Sequence, residues 1–153
     1  MASDGTVTLV QINDALTTTL ATATGISVSQ SYNELTEGIP VGDMPLLQVY
    51  FENLDCDPDV GTERRSFQGA IRTKVILFHA DVFCRQRSNI GEDMAKVLET
   101  TDAIVDVLET QNRKAYFDLH GIKALDWRAD RVTFDYAGVL YAGIRFYITV
   151  YVF

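Results

Sequence analysis

The chain is poor in the residues that do most metal and nucleophilic chemistry. It holds two histidines and two cysteines among 153 residues. A P-loop, a G-x-G-x-x-G, an H-E-x-x-H, a C-x-x-C and a G-x-S-x-G are all missing. That removes the usual sequence grounds for nucleotide binding, zinc proteolysis, dithiol redox and serine hydrolysis. No apolar run approaches the roughly 20 residues that a membrane-spanning helix needs. The opening Met1-Ala2-Ser3-Asp4-Gly5 lacks the basic start and apolar block of a secretion signal. Cationic residues are also few: 13 Lys and Arg against 21 Asp and Glu give a formal charge of −8. Proteins that read nucleic-acid sequence carry a basic patch. Here Arg64-Arg65 and Arg85/Arg87 are the only tight basic groups, and acidic stretches flank the first.

What is present is ordinary globular composition, 47% apolar and 22% charged, which argues against disorder. The length suits one domain, 1–153, with a core that needs no staples. Residues 1–6 are expected to be frayed.

The stretch from Arg72 to Arg113 organises the rest. Val75 to Cys84 is rich in β-branched and aromatic residues, without Gly or Pro, and reads as a central strand. One face carries Ile76, Phe78, Ala80, Val82 and Cys84, all apolar. The other carries Val75, Leu77, His79, Asp81 and Phe83, a mixed set. A helix follows, from Ile90 to about Gln111. Asn89 with Glu92 forms a capping-box pattern, and Glu92 and Asp93 suit the positive end of the helix dipole. Ile90, Met94, Val97/Leu98, Thr101, Ile104/Val105 and Leu108 make one apolar stripe. Glu92, Lys96, Glu99, Asp102, Asp106 and Glu109 make the solvated side.

A first helix is expected after the capping box Thr8–Gln11, with Leu9, Ile12, Leu16, Leu20 and Ala23 as its apolar side and Gly25 as its cap. Its many threonines weaken it in isolation, so it depends on docking. A half-buried strand spans Ile26 to Tyr32. The Gly- and Pro-containing loop 33–45 leads to a strand at 46–52, then an acidic loop at 53–63. Extended structure resumes at Ser66 with a bend near Gly69, giving a hairpin with a long tip. Residues 112–121 carry no clear pattern. Leu125 and Trp127 suit a short strand, and Val132, Phe134 and Tyr136 a further extended piece. The last strand alternates most cleanly: Ala142, Ile144, Phe146, Ile148, Val150 and Val152 against Tyr141, Gly143, Arg145, Tyr147, Thr149, Tyr151 and Phe153. The aromatic side suits an interface. The order helix, three strands, helix, two or three strands implies α+β: a mainly antiparallel sheet with both helices on one face.

Chemistry is thinly represented. His79 and Asp81 share a strand face, as i and i+2, which fits either a general base or a packed interface histidine; no nucleophile accompanies them. His120 precedes Gly121 and suits a turn. Asp55-x-Asp57-x-Asp59 begins like a calcium loop, but Val60 and Ser66 stand where such a loop needs Gly and Glu. Cys56, expected in a loop, and Cys84 suit free thiols in a reducing compartment; a disulfide between them requires proximity that spacing alone does not establish. Tyr-Ala-Gly occurs at 136–138 and again at 141–143, too short for a structural repeat.

Phe83-Cys84-Arg85-Gln86-Arg87-Ser88-Asn89-Ile90-Gly91-Glu92-Asp93-Met94-Ala95 and the ending Tyr141-Ala142-Gly143-Ile144-Arg145-Phe146-Tyr147-Ile148-Thr149-Val150, together with the element order, resemble the tail terminator (tail completion) proteins of long-tailed bacteriophages. The resemblance implies a ring, typically of six subunits, that caps the tail tube, ends its growth and meets the head-side connector. It implies a virion location, no catalysis, no cofactor, no metal and no membrane partner. DNA passes through such a ring without sequence-specific contact, and a net acidic wall suits that passage. A ring needs a head-to-tail contact that closes. Arg64, Arg65, Arg85, Arg87, Arg145, Tyr147 and Tyr151 are the candidate contacts between subunits or with the tube, alongside the loops 33–45 and 53–65. Other readings are a head-completion or connector protein of the neck, a small-ligand-binding α+β domain, or an enzyme around His79, Asp81 and Tyr147.

Overall fold

A computed structural model of the chain describes residues 7–31, 43–56, 74–87, 90–113, 119, 121–136 and 138–152. Seven elements follow in order: α1 (Leu9–Leu20), β1 (Val28–Ser31), β2 (Leu46–Cys56), β3 (Lys74–Gln86), α2 (Ile90–Arg113), β4 (Ile122–Tyr136) and β5 (Val139–Val152). The strands form one sheet in the order β1-β2-β3-β5-β4. The pairings β2–β3, β3–β5 and β4–β5 are antiparallel, and only β1 runs parallel to its neighbour. The fold is α+β, as the element order implies.

Register explains how one side of this sheet became the core. Leu47, Val82 and Ile144 lie in one row across the strands; Val49, Ala80 and Phe146 lie in the next, and Phe78 with Ile148 in a third. All are fully or almost fully buried. Ile12, Leu16 and Leu20 of α1 and Val97, Ile104 and Leu108 of α2 belong to the same cluster. Each buried residue of this size contributes about 1.5–3 kcal/mol. Both helices therefore dock on the side that strict alternation marked as apolar.

Local signals work where they were expected. Thr8 caps α1: its hydroxyl accepts from the Gln11 amide at 3.2 Å, and the Thr8 amide donates back to Gln11 Oε1 at 2.9 Å. The expected Gly25 cap is not used: α1 ends at Leu20 with Ala21 as its cap, and Gly25 takes φ +91° in the turn that follows, which a residue with a Cβ reaches only under strain. The Ser29 hydroxyl donates to the Thr17 carbonyl at 2.7 Å and ties β1 to α1. The threonine-rich helix gains in this way the tertiary support that its propensities lack.

Several expectations need correction. Asn53 to Cys56 are not loop but the end of β2, which pairs as far as Cys56 opposite Lys74. A β-bulge after Phe51 lets the strand continue past the polar residues. Cys56 consequently sits in a strand, ten residues along the ladder from Cys84, about 33 Å away at the usual rise; a disulfide between the two is ruled out. Residues 122–136 form one strand rather than two pieces, because pairing with β5 runs from Ile122 to Tyr136 with one register shift between Ile122 and Ala124. Leu125 and Trp127 face the helices, whereas Phe134 is buried on the other side of the same strand. In α2, which continues to Arg113, Val97 is buried and Leu98 is 59% exposed, so the stripe runs through Val97 alone. The frayed start 1–6, the Asn89 cap, His120, the Gly69 bend, and the greater part of the loops 33–45 and 53–65 lie outside the described residues.

Cys84 is a free thiol in the core. Burial pushes it up to about 11, against the weaker opposing influence of Thr100 and Lys96. Its unfolded value is near 9. Between the two the unfolded chain gives up a proton that the folded chain keeps, so stability is complete below pH 9 and falls as pH rises towards 11. The loss amounts to roughly 2–3 kcal/mol. The urea midpoint of the native chain, measured from pH 8 to 11, is expected to fall more steeply than that of Cys84→Ala. Parallel pH profiles would contradict this.

Candidate functional site

The opposite face of the sheet has no helix on it among the described residues. The register lays it out as rows. One row reads Gln30, Gln48, Asp81, Arg145, Asp130 across the five strands; the next reads Tyr50, His79, Tyr147, Arg128; below these lie Leu77, Thr149 and Asp126, then Asp55, Val75 and Tyr151. Most of the central residues are half-buried, neither core nor plain solvent surface.

Arg145 anchors the face. Its Nε donates to Asp81 Oδ1 at 2.6 Å and its Nη2 to Oδ2 at 2.9 Å, a bidentate pair between adjacent strands. Asp81 is 5% exposed, while the Arg145 side chain is 32% exposed, so the carboxylate depends on the cation more than the reverse. The hydrogen bonds to Asp81, foremost, raise the Arg145 pKa above its ordinary value. Burial, then the Asp81 charge, raises the Tyr50 phenol. Gln30 donates to Gln48, and Gln48 donates to the Tyr50 hydroxyl, which carries the network to the β1 edge.

His79 and Asp81 share this face but not a function. Asp81 is committed to Arg145, and His79 Nδ1 instead meets Glu52 Oε2 at 3.4 Å and tilts against the Tyr50 ring, centroids 4.9 Å apart. The carboxylate beside His79 is therefore that of Glu52, not Asp81. Among the described residues no group of three or more His, Cys, Asp or Glu side chains converges to hold a metal. Asp55 lies in β2, and Asp57 and Asp59 are outside the described residues.

The other candidate residues divide. Tyr147 lies under Arg128, whose guanidinium carbon is 4.4 Å from the ring centroid. Arg128 also meets the exposed Asp130 at 3.3 Å. Tyr151 is half-buried two rows from the sheet's middle. Arg85 turns back onto its own chain, with Nε 3.0 Å from Asp93 and Nη1 3.3 Å from Glu92, pinning the strand-to-helix passage. That leaves it poorly suited to a neighbour. Arg87 is exposed, its backbone amide donating to the Leu140 carbonyl at 2.9 Å. Arg64 and Arg65 lie outside the described residues.

Sequence reasoning missed the Asp81–Arg145 pair, because 64 residues separate its members. It also missed the second cluster at one end of this face, where Leu46, Phe83, Phe134 and Tyr141 are buried. Phe83 meets Phe134 with centroids 4.5 Å apart and Tyr141 edge-on at 5.8 Å. The two Tyr-Ala-Gly glycines serve different ends. Gly138 takes φ +80° in the β4–β5 turn, and Gly143 lies mid-strand beneath the Phe134 ring.

No family model matches the chain, and no curated protein is significantly similar to it. No helix among the described residues is long and apolar enough to cross a membrane.

Proposed function

We propose that the protein is a structural subunit that closes into a ring on the end of a bacteriophage tail tube and stops its growth. One observation carries the reading. Helices occupy one side of the sheet and leave Tyr50, His79, Arg145 and Tyr147 half-buried on the other, with Arg128 exposed over Tyr147. Aromatic and Arg side chains in that state are typical of residues that finish their burial against another protein. The borders of the sheet support it too. One border is the 15-residue β4; the other is β1, which among the described residues pairs with Leu46 to Val49. Two dissimilar borders suit head-to-tail closure better than a two-fold dimer. The acidic balance of −8 suits a ring through which DNA slides without being gripped. The resemblance in 83–95 and 141–150 supplies the tail tube and the head-side connector as partners.

The reaction is assembly, with no bond made or broken. Adding the purified protein to polymerising tail-tube subunits is expected to shorten the tubes and to leave extra density at one end. Tubes of unchanged length with bare ends would remove the tail-terminator reading. Capture by the head-side connector alone would instead favour the neck-protein alternative.

A further inference from the structure

Beyond this assembly role, and independent of it, the helix-bearing face holds a feature that core packing does not explain. Along β4 the residues facing the helices are Leu125, Trp127 and Ala129, all packed on the core, and then Arg131 and Thr133, opposite Ile144 and Ala142. The pattern turns polar where the first turns of α2 cross the sheet. A cavity of about 160 Å³ opens there, lined by Arg87, Arg131, Thr133, Asp93, Ala142 and Gly143 among others. Its small floor residues make the room. Two arginines line it from separate segments, one following β3 and one on β4.

Neither guanidinium is used elsewhere among the described residues. Arg85 meets both Glu92 and Asp93, one cation against two carboxylates, and Asp93 also lines the cavity. Among the described residues Arg87 and Arg131 have no ion-pair partner. Arg85, Arg87 and Arg131 against Glu92 and Asp93 leave one net positive charge around the cavity in a chain of charge −8, which favours an anion there. Planar guanidiniums pair best with the two oxygens of a carboxylate or a phosphate, and the Thr133 hydroxyl adds a third donor.

We infer that this cavity is an oxyanion site, holding one carboxylate or phosphate group between Arg87 and Arg131 beside Thr133. Both arginines are exposed, so Arg87→Gln and Arg131→Gln are expected to fold as the native chain does. The test is melting temperature against inorganic phosphate, at ionic strength held constant with chloride. Phosphate also stabilises proteins without binding a site, so the readout is the difference between native chain and variant. At about tenfold over Kd the native chain is expected to gain about 3–6 °C more than Arg131→Gln. Equal responses in the two proteins, or no saturable response in the native chain, would overturn the site. Sedimentation in the same series distinguishes the sources of the anion. A fall in mass with added phosphate assigns the site to a carboxylate from a second copy, and an unchanged mass assigns it to a free anion.

Discussion

Replacing Gly143 by alanine is expected to cost about 3 kcal/mol, the upper part of the usual range for overpacking. A Cβ built at this position would stand 2.2 Å from the Val82 carbonyl oxygen and 2.6 Å from Cε2 of Phe134. The ring has little room to swing aside: it is buried against Phe83 and adjoins Arg145, whose guanidinium lies 5.7 Å from its centroid. The carbonyl has less freedom still. It belongs to the β3 backbone just before the bulge between Phe83 and Arg85, with β5 paired alongside. Gly138→Ala is the control. Gly138 has φ +80° but open space around its missing Cβ, so its cost is confined to backbone strain of about 1–2 kcal/mol. Urea midpoints are expected to fall further for Gly143→Ala than for Gly138→Ala. The reverse order would show that the close approach at Gly143 relaxes without penalty.

Arg145→Met is expected to cost about 3 kcal/mol, at the low end for a broken buried pair. The substitution keeps the aliphatic stem and removes the cation, leaving a carboxylate that is 5% exposed without its bidentate partner. Asp81→Asn is expected to cost less. Arg145 is about one-third exposed, reaches water, and has Asp130 opposite it on β4. Changing both residues together to Asp81→Leu and Arg145→Met is expected to recover much of the loss, since no charge is then stranded. Equal costs for the two single substitutions would contradict the asymmetric burial argued for this pair.

Much of the architecture was legible because the physics that sets it is local. The alternation of Ile76, Phe78, Ala80, Val82 and Cys84 is complete within one strand, and so is that of Ile144 to Val152. The Thr8–Gln11 box spans a single helical turn. The end of β2 was hidden because Asn53 and Asp55 look like turn residues, and only pairing with β3 through a bulge makes them a strand. β4 looked like two pieces for a similar reason. Its apolar residues change faces midway, from Leu125 and Trp127 to Phe134, as the helices end on one side and the second cluster begins on the other.

The candidate surface was legible only in outline. The aromatic side of the last strand stood out, and Tyr147 and Arg145 do lie at the middle of the uncovered face. Their partners did not stand out, because Asp81 and Arg128 come from other strands and enter by register alone. Arg85 was misleading for the opposite reason: its acids, Glu92 and Asp93, are only a few residues away, and local pairing claims it.

The half-buried face around Tyr147 and Tyr151 is held to be where identical copies meet. Native mass spectrometry of the purified protein, beside the double variant Tyr147→Ser and Tyr151→Ser, tests this most directly. The expected result is a closed ring for the native chain, typically six copies, and a folded monomer for the variant. A native chain that stays monomeric at every concentration and on tube ends, or a variant that assembles as the native chain does, would contradict it.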